Sequence, residues 1–132
     1  MHVLIAETDL ESLAEMGLAL EEAGHTVTAV TNGMSAWSHL TGRHRPDLLI
    51  TRLHLGSGAP PGTALGLCAR ANDPPIPVLY IPAHAEGVES ADPSHGAVLI
   101  KPFSIAELVM VSSSLIRQYP APSARSDHIL ES

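Results

Sequence analysis

Four side chains of this sequence have the types and positions to do chemistry together: the carboxylates of Glu7 and Asp9, the guanidinium of Arg52 and the ammonium of Lys101. Glu7, Arg52 and Lys101 each stand at the end of a short apolar run, at residues 3–6, 48–50 and 97–100. Such runs read as strands covered on both faces. In a doubly wound α/β fold the carboxyl ends of the strands open onto one crevice, so these three groups are expected to meet there. Glu7 brings −1, Arg52 +1 and Lys101 +1, a net +1 before Asp9 is considered. Like charges about 4 Å apart cost about 4 kcal/mol at an effective dielectric of 20, so a divalent cation beside Arg52 is opposed. The expected arrangement is an internal ion pair, with the guanidinium meeting Glu7 in fork geometry. The competing reading has Arg52 reaching out to solvent. Asp9 falls in the first turn of a helix, where a carboxylate is favoured by the helix dipole alone.

Other reactive types carry less. His54 and His84 fall on loops at the same end of the sheet as Glu7, but no tight ligand spacing supports a metal site. Neither a metal nor a cofactor is expected. Thr51 should point away from the Arg52 side of its strand. The crevice offers no nucleophile–base pair, so catalysis is not expected. Cys68 lies mid-helix among apolar neighbours and reads as a small core residue. Trp37 reads as packing at the domain edge. The stretch 56–62, GSGAPPG, lacks the lysine and spacing of a phosphate-binding loop and reads as a remodelled lid.

The elements that must position these groups are legible in order. The first strand, 3–6, is followed by Thr8 and Glu11 in capping-box spacing and by an apolar helical face ending near Gly24. A β-branched strand at 26–31 and a helix at 34–40 come next, then the strand before Arg52. A helix at 64–71, a strand at 76–81, a weakly periodic fourth helix within 83–91 and a strand at 97–100 follow. Ser104 and Glu107 form a second capping box, opening a last helix that runs to about Gln118. Five strands alternating with five helices predict a flavodoxin-like, doubly wound α/β fold around a parallel sheet. Residues 1–119 should form one domain and 120–132 a flexible tail.

Composition narrows the classes. Aromatics are only 3%, so aliphatic side chains must build the core. The chain carries 14 Asp and Glu against 7 Lys and Arg, which argues against tracking a phosphate backbone, so no nucleic-acid partner is expected. One cysteine excludes an internal disulfide framework and fits a reducing cytosol. The apolar run at 3–6 is too short for a signal peptide or a membrane span, and a cytoplasmic location without membrane contact is expected.

The LIAETD opening, the EEAGH helix end, the TNGMSAW turn, the PDLLI strand, the PVLYIPAH strand and Lys101-Pro102-Phe103, taken in order, resemble the receiver domain of bacterial two-component response regulators. The match covers residues 2 to about 118. The resemblance implies a crevice that holds Mg²⁺ on paired carboxylates, a phosphoacceptor aspartate, a Thr or Ser that follows the phosphoryl oxygens, and a pairing lysine. Here Glu7 and Thr8 fall on the carboxylate pair, Arg52 on the phosphoacceptor, Pro82 on the Thr or Ser and Lys101 on the lysine. Only Lys101 is intact, so the resemblance implies a degenerate phosphorylation site, a pseudo-receiver. It also implies a cis peptide at Lys101–Pro102.

The expected function is therefore that of a stand-alone, phosphorylation-independent receiver in phosphorelay signal transduction, acting by binding a signalling kinase, an output protein or a second copy of itself. The alternative is a flavodoxin-like domain taking a small ligand or phosphate ester in the same crevice. In the last helix Leu108, Val111 and Leu115 form a stripe facing the sheet, while Ile105, Val109 and Ile116 form a second. That second stripe is expected to be a partner or homodimer surface, since apolar residues on more than one side of a helix imply burial on more than one side.

Overall fold

Alternation of side chains along the buried strands divides the core between the two faces of one sheet. The computed structural model describes residues 1–56, 60–84 and 87–120. Its five parallel strands are β1 (His2–Ala6), β2 (Thr26–Val30), β3 (Leu48–Thr51), β4 (Val78–Tyr80) and β5 (Gly96–Val98), in the order β2-β1-β3-β4-β5. This is the expected doubly wound α/β sheet, with its topological switch between β1 and β3.

Val3 and Ile5 of β1, Leu48 and Ile50 of β3 and Leu79 of β4 pack against α1 (Leu10–Glu22) and α4 (Ile105–Gln118). The intervening residues Leu4, Ala6, Leu49, Val78 and Tyr80 face α2 (Gly33–Thr41) and α3 (Gly62–Ala71). Fully burying one such aliphatic side chain contributes roughly 1.5–3 kcal/mol. Tyr80 is the one large aromatic in this core; its hydroxyl accepts a 3.0 Å hydrogen bond from Arg70 Nη1.

Several boundaries differ from the sequence reading. Ile76 and Ile81 are buried but lie outside the three-residue β4, and β5 ends at Val98 rather than at residue 100. An apolar run marks where a strand passes through the core and not where its pairing stops: Ile76 and Ile81 are buried beyond β4, while Leu99 is half-buried and Ile100 is 40% exposed beyond β5. Between Gly87, at φ +85, and Ala91 the chain makes only the 3-10 turn Val88–Ser90, so four α-helices, not five, stand among the described residues. The cap of α1 is Asp9, whose Oδ1 accepts the Glu11 N–H at 3.3 Å, in place of a Thr8–Glu11 box. The Ser104–Glu107 capping box of α4 is present.

The outer stripe of α4 also needs correction. Ile116 is 5% exposed and belongs to the core, while Ile105 and Val109 are half-buried against it. Packing of α1 along α4 covers them, which leaves Met110, at 64% exposure, as the apolar side chain of α4 most open to solvent. Trp37 is 38% exposed on α2, and Cys68 packs against the core edge. The readings of the lid at 57–59 and of the tail at 121–132 lie outside the described residues. No helix among the described residues is long and apolar enough to cross a membrane.

Candidate functional site

β1, β3 and β5 deliver Glu7, Arg52 and Lys101 to the same end of the sheet, and the three side chains meet. Glu7 is fully buried, directly after β1, and its N–H donates to Val30 O at 3.1 Å. A buried carboxylate costs several kcal/mol of lost hydration unless donors replace the water. Here four do. Lys101 Nζ donates to Oε1 at 2.5 Å, while Thr8 N (2.8 Å), Asp9 N (3.2 Å) and Arg52 Nη1 (3.4 Å) converge on Oε2. The two amide donors were missed in the sequence, although a carboxylate just before a helix start is the local signal for them.

Arg52 does not form the expected fork. Its Nη1 is shared between Glu7 and the Thr8 hydroxyl, which accepts at 2.7 Å, because Lys101 already holds the other carboxylate oxygen. The same contact explains why Thr8 does not cap α1. The Arg52 backbone is held on both sides. Its N–H donates to Ala6 O at 3.3 Å, and its carbonyl accepts from Thr51 Oγ1 at 2.9 Å. Helix α3 starts directly against it, since a Cβ on Gly62 would lie 1.6 Å from that carbonyl oxygen. Only glycine lets the helix begin there. The Pro60-Pro61-Gly62 sequence was the available signal for this close approach.

Lys101 follows β5 through a chain path fixed by its N–H donating to Pro82 O at 3.2 Å, and the Lys101–Pro102 peptide is cis, as the resemblance implies. Pro82 is buried and gives the site a carbonyl but no hydroxyl. Asp9 is exposed and turned to its own helix, accepting from Ser12 Oγ at 2.8 Å through Oδ2. That hydrogen bond is the main reason its carboxyl lies below the usual range. His54 and His84 are exposed at the rim, in a pocket they share with Arg52, and neither approaches Glu7 among the contacts of the described residues.

A magnesium ion of the kind the resemblance implies needs carboxylate oxygens with lone pairs to spare. Both oxygens of Glu7 already accept, two of the donors are cations, the adjacent hydroxyl accepts from Arg52, and Asp9 caps α1. The residues present do not fit that ion.

No protein-family model matches the chain. Among curated proteins it is 33% identical, over 114 residues, to the response regulator receiver protein CpdR of Brucella abortus, covering 82% of this chain and 90% of that protein. It is 27% identical over 132 residues to the transcriptional regulatory protein PrrA of Mycobacterium leprae, which covers 98% of this chain and 55% of PrrA. The chain thus spans about half the length of PrrA. Among solved structures, a response regulator receiver protein from Sinorhizobium medicae superposes with a TM-score of 0.81 at 30% identity, covering 89% of this chain and 94% of that one. The Francisella response regulator 1452 receiver domain, at 24% identity and a TM-score of 0.70, shares the fold.

Proposed function

This chain belongs to the response regulator receiver family of two-component signalling, and we propose that it is a receiver that works without accepting a phosphoryl group. One observation carries the reading. The first residue after β3, where the family resemblance sets the phosphoacceptor, is Arg52, and its guanidinium donates to the buried Glu7. In place of three carboxylates awaiting a cation, the crevice has one carboxylate already compensated by Lys101 and Arg52. The charge that phosphorylation would change is fixed by the sequence itself. Signalling would then pass through protein–protein contact, with a kinase, an output protein or a second copy as the partner and no catalytic step. The half-buried Ile105 and Val109 and the exposed Met110 make α4 the proposed contact helix.

Incubation with acetyl phosphate and Mg²⁺, followed by intact-mass spectrometry, tests this. The expected spectrum is the unmodified mass. A stoichiometric, base-labile phosphoryl adduct would contradict the reading.

A further inference from the structure

We propose that the open edge of β2, with the trough beside it on α1, docks an extended basic segment of a partner protein as an added strand. No residue of α4 lines this surface, so it is a second contact region beyond the one proposed above.

β2 stands at the edge of the sheet. The Thr26 N–H donates to Met1 O at 2.9 Å, and Val30 O accepts from the Glu7 N–H at 3.1 Å, so alternate residues of β2 turn their backbone groups to β1. The N–H and C=O groups of Val27 and Ala29 therefore face outward, and they have no partner among the described residues. Natural sheet edges are blunted by lysine, proline or a bulge. Residues 26–31, TVTAVT, carry no charge and no proline. The edge is thus a template for another strand.

Beside it lies an open trough of about 380 Å³, lined by Leu10, Ala14, Gly17, Leu18, Val27 and Ala29. The spacing of the first four places them on one face of α1. Ala14 and Gly17 leave the gap between the leucines, and a Cβ on Gly17 would stand 3.7 Å from Val27 Cγ1. Leu10 and Leu18 are 69% and 58% exposed. Side chains of a strand added along β2 alternate between the two sheet faces. Every second one enters the trough, where an aliphatic group covers the leucines.

Charge selects the partner. Glu21 also lines the trough, and Glu11, Glu15, Glu21 and Glu22 of α1 are exposed, with no salt bridge among the described residues. No Lys or Arg precedes Arg43, so β1, α1, β2 and α2 supply no fixed cation to offset them. A second copy docked two-fold through the same edge would set α1 against α1, acid against acid. A segment with Lys or Arg flanking its aliphatic residues meets the rim with complementary charge instead, which speeds encounter and fixes register.

The experiment titrates the whole chain with a short blocked peptide in which valine and threonine alternate between terminal lysines. Readouts are ¹⁵N–¹H spectra and amide hydrogen exchange. Two control peptides keep the length, one with glutamate for lysine and one with proline at an inner position that must pair. Saturable shifts at Val27 and Ala29, with exchange of both amides slowed by about tenfold, are expected with the lysine peptide alone. Ala29→Pro removes an outward N–H at an edge position, where proline is tolerated, and Leu18→Lys puts a cation into the trough. Each should weaken binding by about five- to tenfold. If Ala29→Pro fails to fold, Leu18→Lys, at an exposed position, decides. An absent response, or an equal one with either control peptide, overturns the proposal. Slow exchange at Val27 and Ala29 before any peptide is added also overturns it, since the edge would already be paired. Self-association that is lost in Ala29→Pro would assign the edge to a second copy and overturn the basic partner. None of these outcomes bears on phosphorylation, which the acetyl phosphate spectrum decides separately.

Discussion

Lys101 and Glu7 lie 94 residues apart in sequence, and their side chains close to 2.5 Å across the mouth of the sheet. The carboxylate is wholly buried, while the lysine side chain keeps 24% of its surface in solvent. Glu7 therefore depends on its partners more than they depend on it. Lys101→Met should destabilise the fold by about 2 kcal/mol, since a buried charged acceptor loses its shortest donor. A double-mutant cycle with Glu7→Gln should return a coupling energy of about 1–3 kcal/mol in urea denaturation. A coupling of zero would mean that the pair adds nothing to the folded state.

Gly62 is the second point of dependence. A methyl group there would meet the Arg52 carbonyl oxygen at 1.6 Å, against rigid backbone on both sides. Gly62→Ala should cost roughly 1–3 kcal/mol, the range for overpacking, and lower Tm by several degrees. Because the clash is with Arg52 itself, amide shifts at Arg52 and Thr8 should move more than those of α4. An unchanged Tm would show that α3 can start elsewhere.

Acid sensitivity should come in two windows. Burial pushes the His25 imidazole below its ordinary 6.5, the N-terminal amine adds to this, and its Nδ1 is buried with no hydrogen-bond partner among the described residues. Burial also lowers His2, with Asp47 opposing. Below pH 6.5 the unfolded chain thus binds more protons than the folded one, so stability present above 6.5 is lost as pH falls through the lowered folded values. A second loss should begin below 3.8. There Asp9 and Asp92, held down chiefly by hydrogen bonds from Ser12 and Ser94, take up protons. His25→Gln should reduce the first loss and leave the second. Denaturation midpoints that do not fall between neutral and mildly acidic pH would contradict this assignment.

The helix α4 allows a clean pair of substitutions. Val109 is half-buried against the core, so Val109→Glu should destabilise by about 1–3 kcal/mol. Met110 is 64% exposed, so Met110→Glu should change stability by no more than about 0.5 kcal/mol. Analytical ultracentrifugation of wild type and Met110→Glu then reads association alone. A weaker self-association or partner complex in Met110→Glu supports α4 as the contact helix, and identical behaviour removes Met110 from it.

What the sequence made legible was the part written in local pattern. The apolar runs at 3–6 and 48–50 and the Ser104–Glu107 capping box could each be read within a few residues, and each stands in the structure. Thr8 shows the limit of such reading. Its hydroxyl had the spacing for a helix cap but is taken by Arg52, a partner 44 residues away, and the cap fell to Asp9. The same holds for Ile116, whose place on an outer stripe was correct for an isolated helix and was reversed by α1 packing along it. That Arg52 or Lys101 would contact Glu7 or Asp9 could be expected from strand ends that open onto one crevice. That one nitrogen of Arg52 would serve both Glu7 and Thr8, leaving the rest of the guanidinium unengaged among the described residues, required the three-dimensional path of β3 into α3.

Lys101 and Arg52, both in contact with Glu7, fill the place there that a divalent cation would need. Titrating Mg²⁺ into the whole chain, with amide shifts of Glu7, Thr8, Asp9 and Arg52 as the readout, tests it most directly. No saturable change is expected at these amides beyond that given by a matched sodium salt. A saturable shift centred on Glu7, with Lys101 or Arg52 released from the carboxylate, would contradict it.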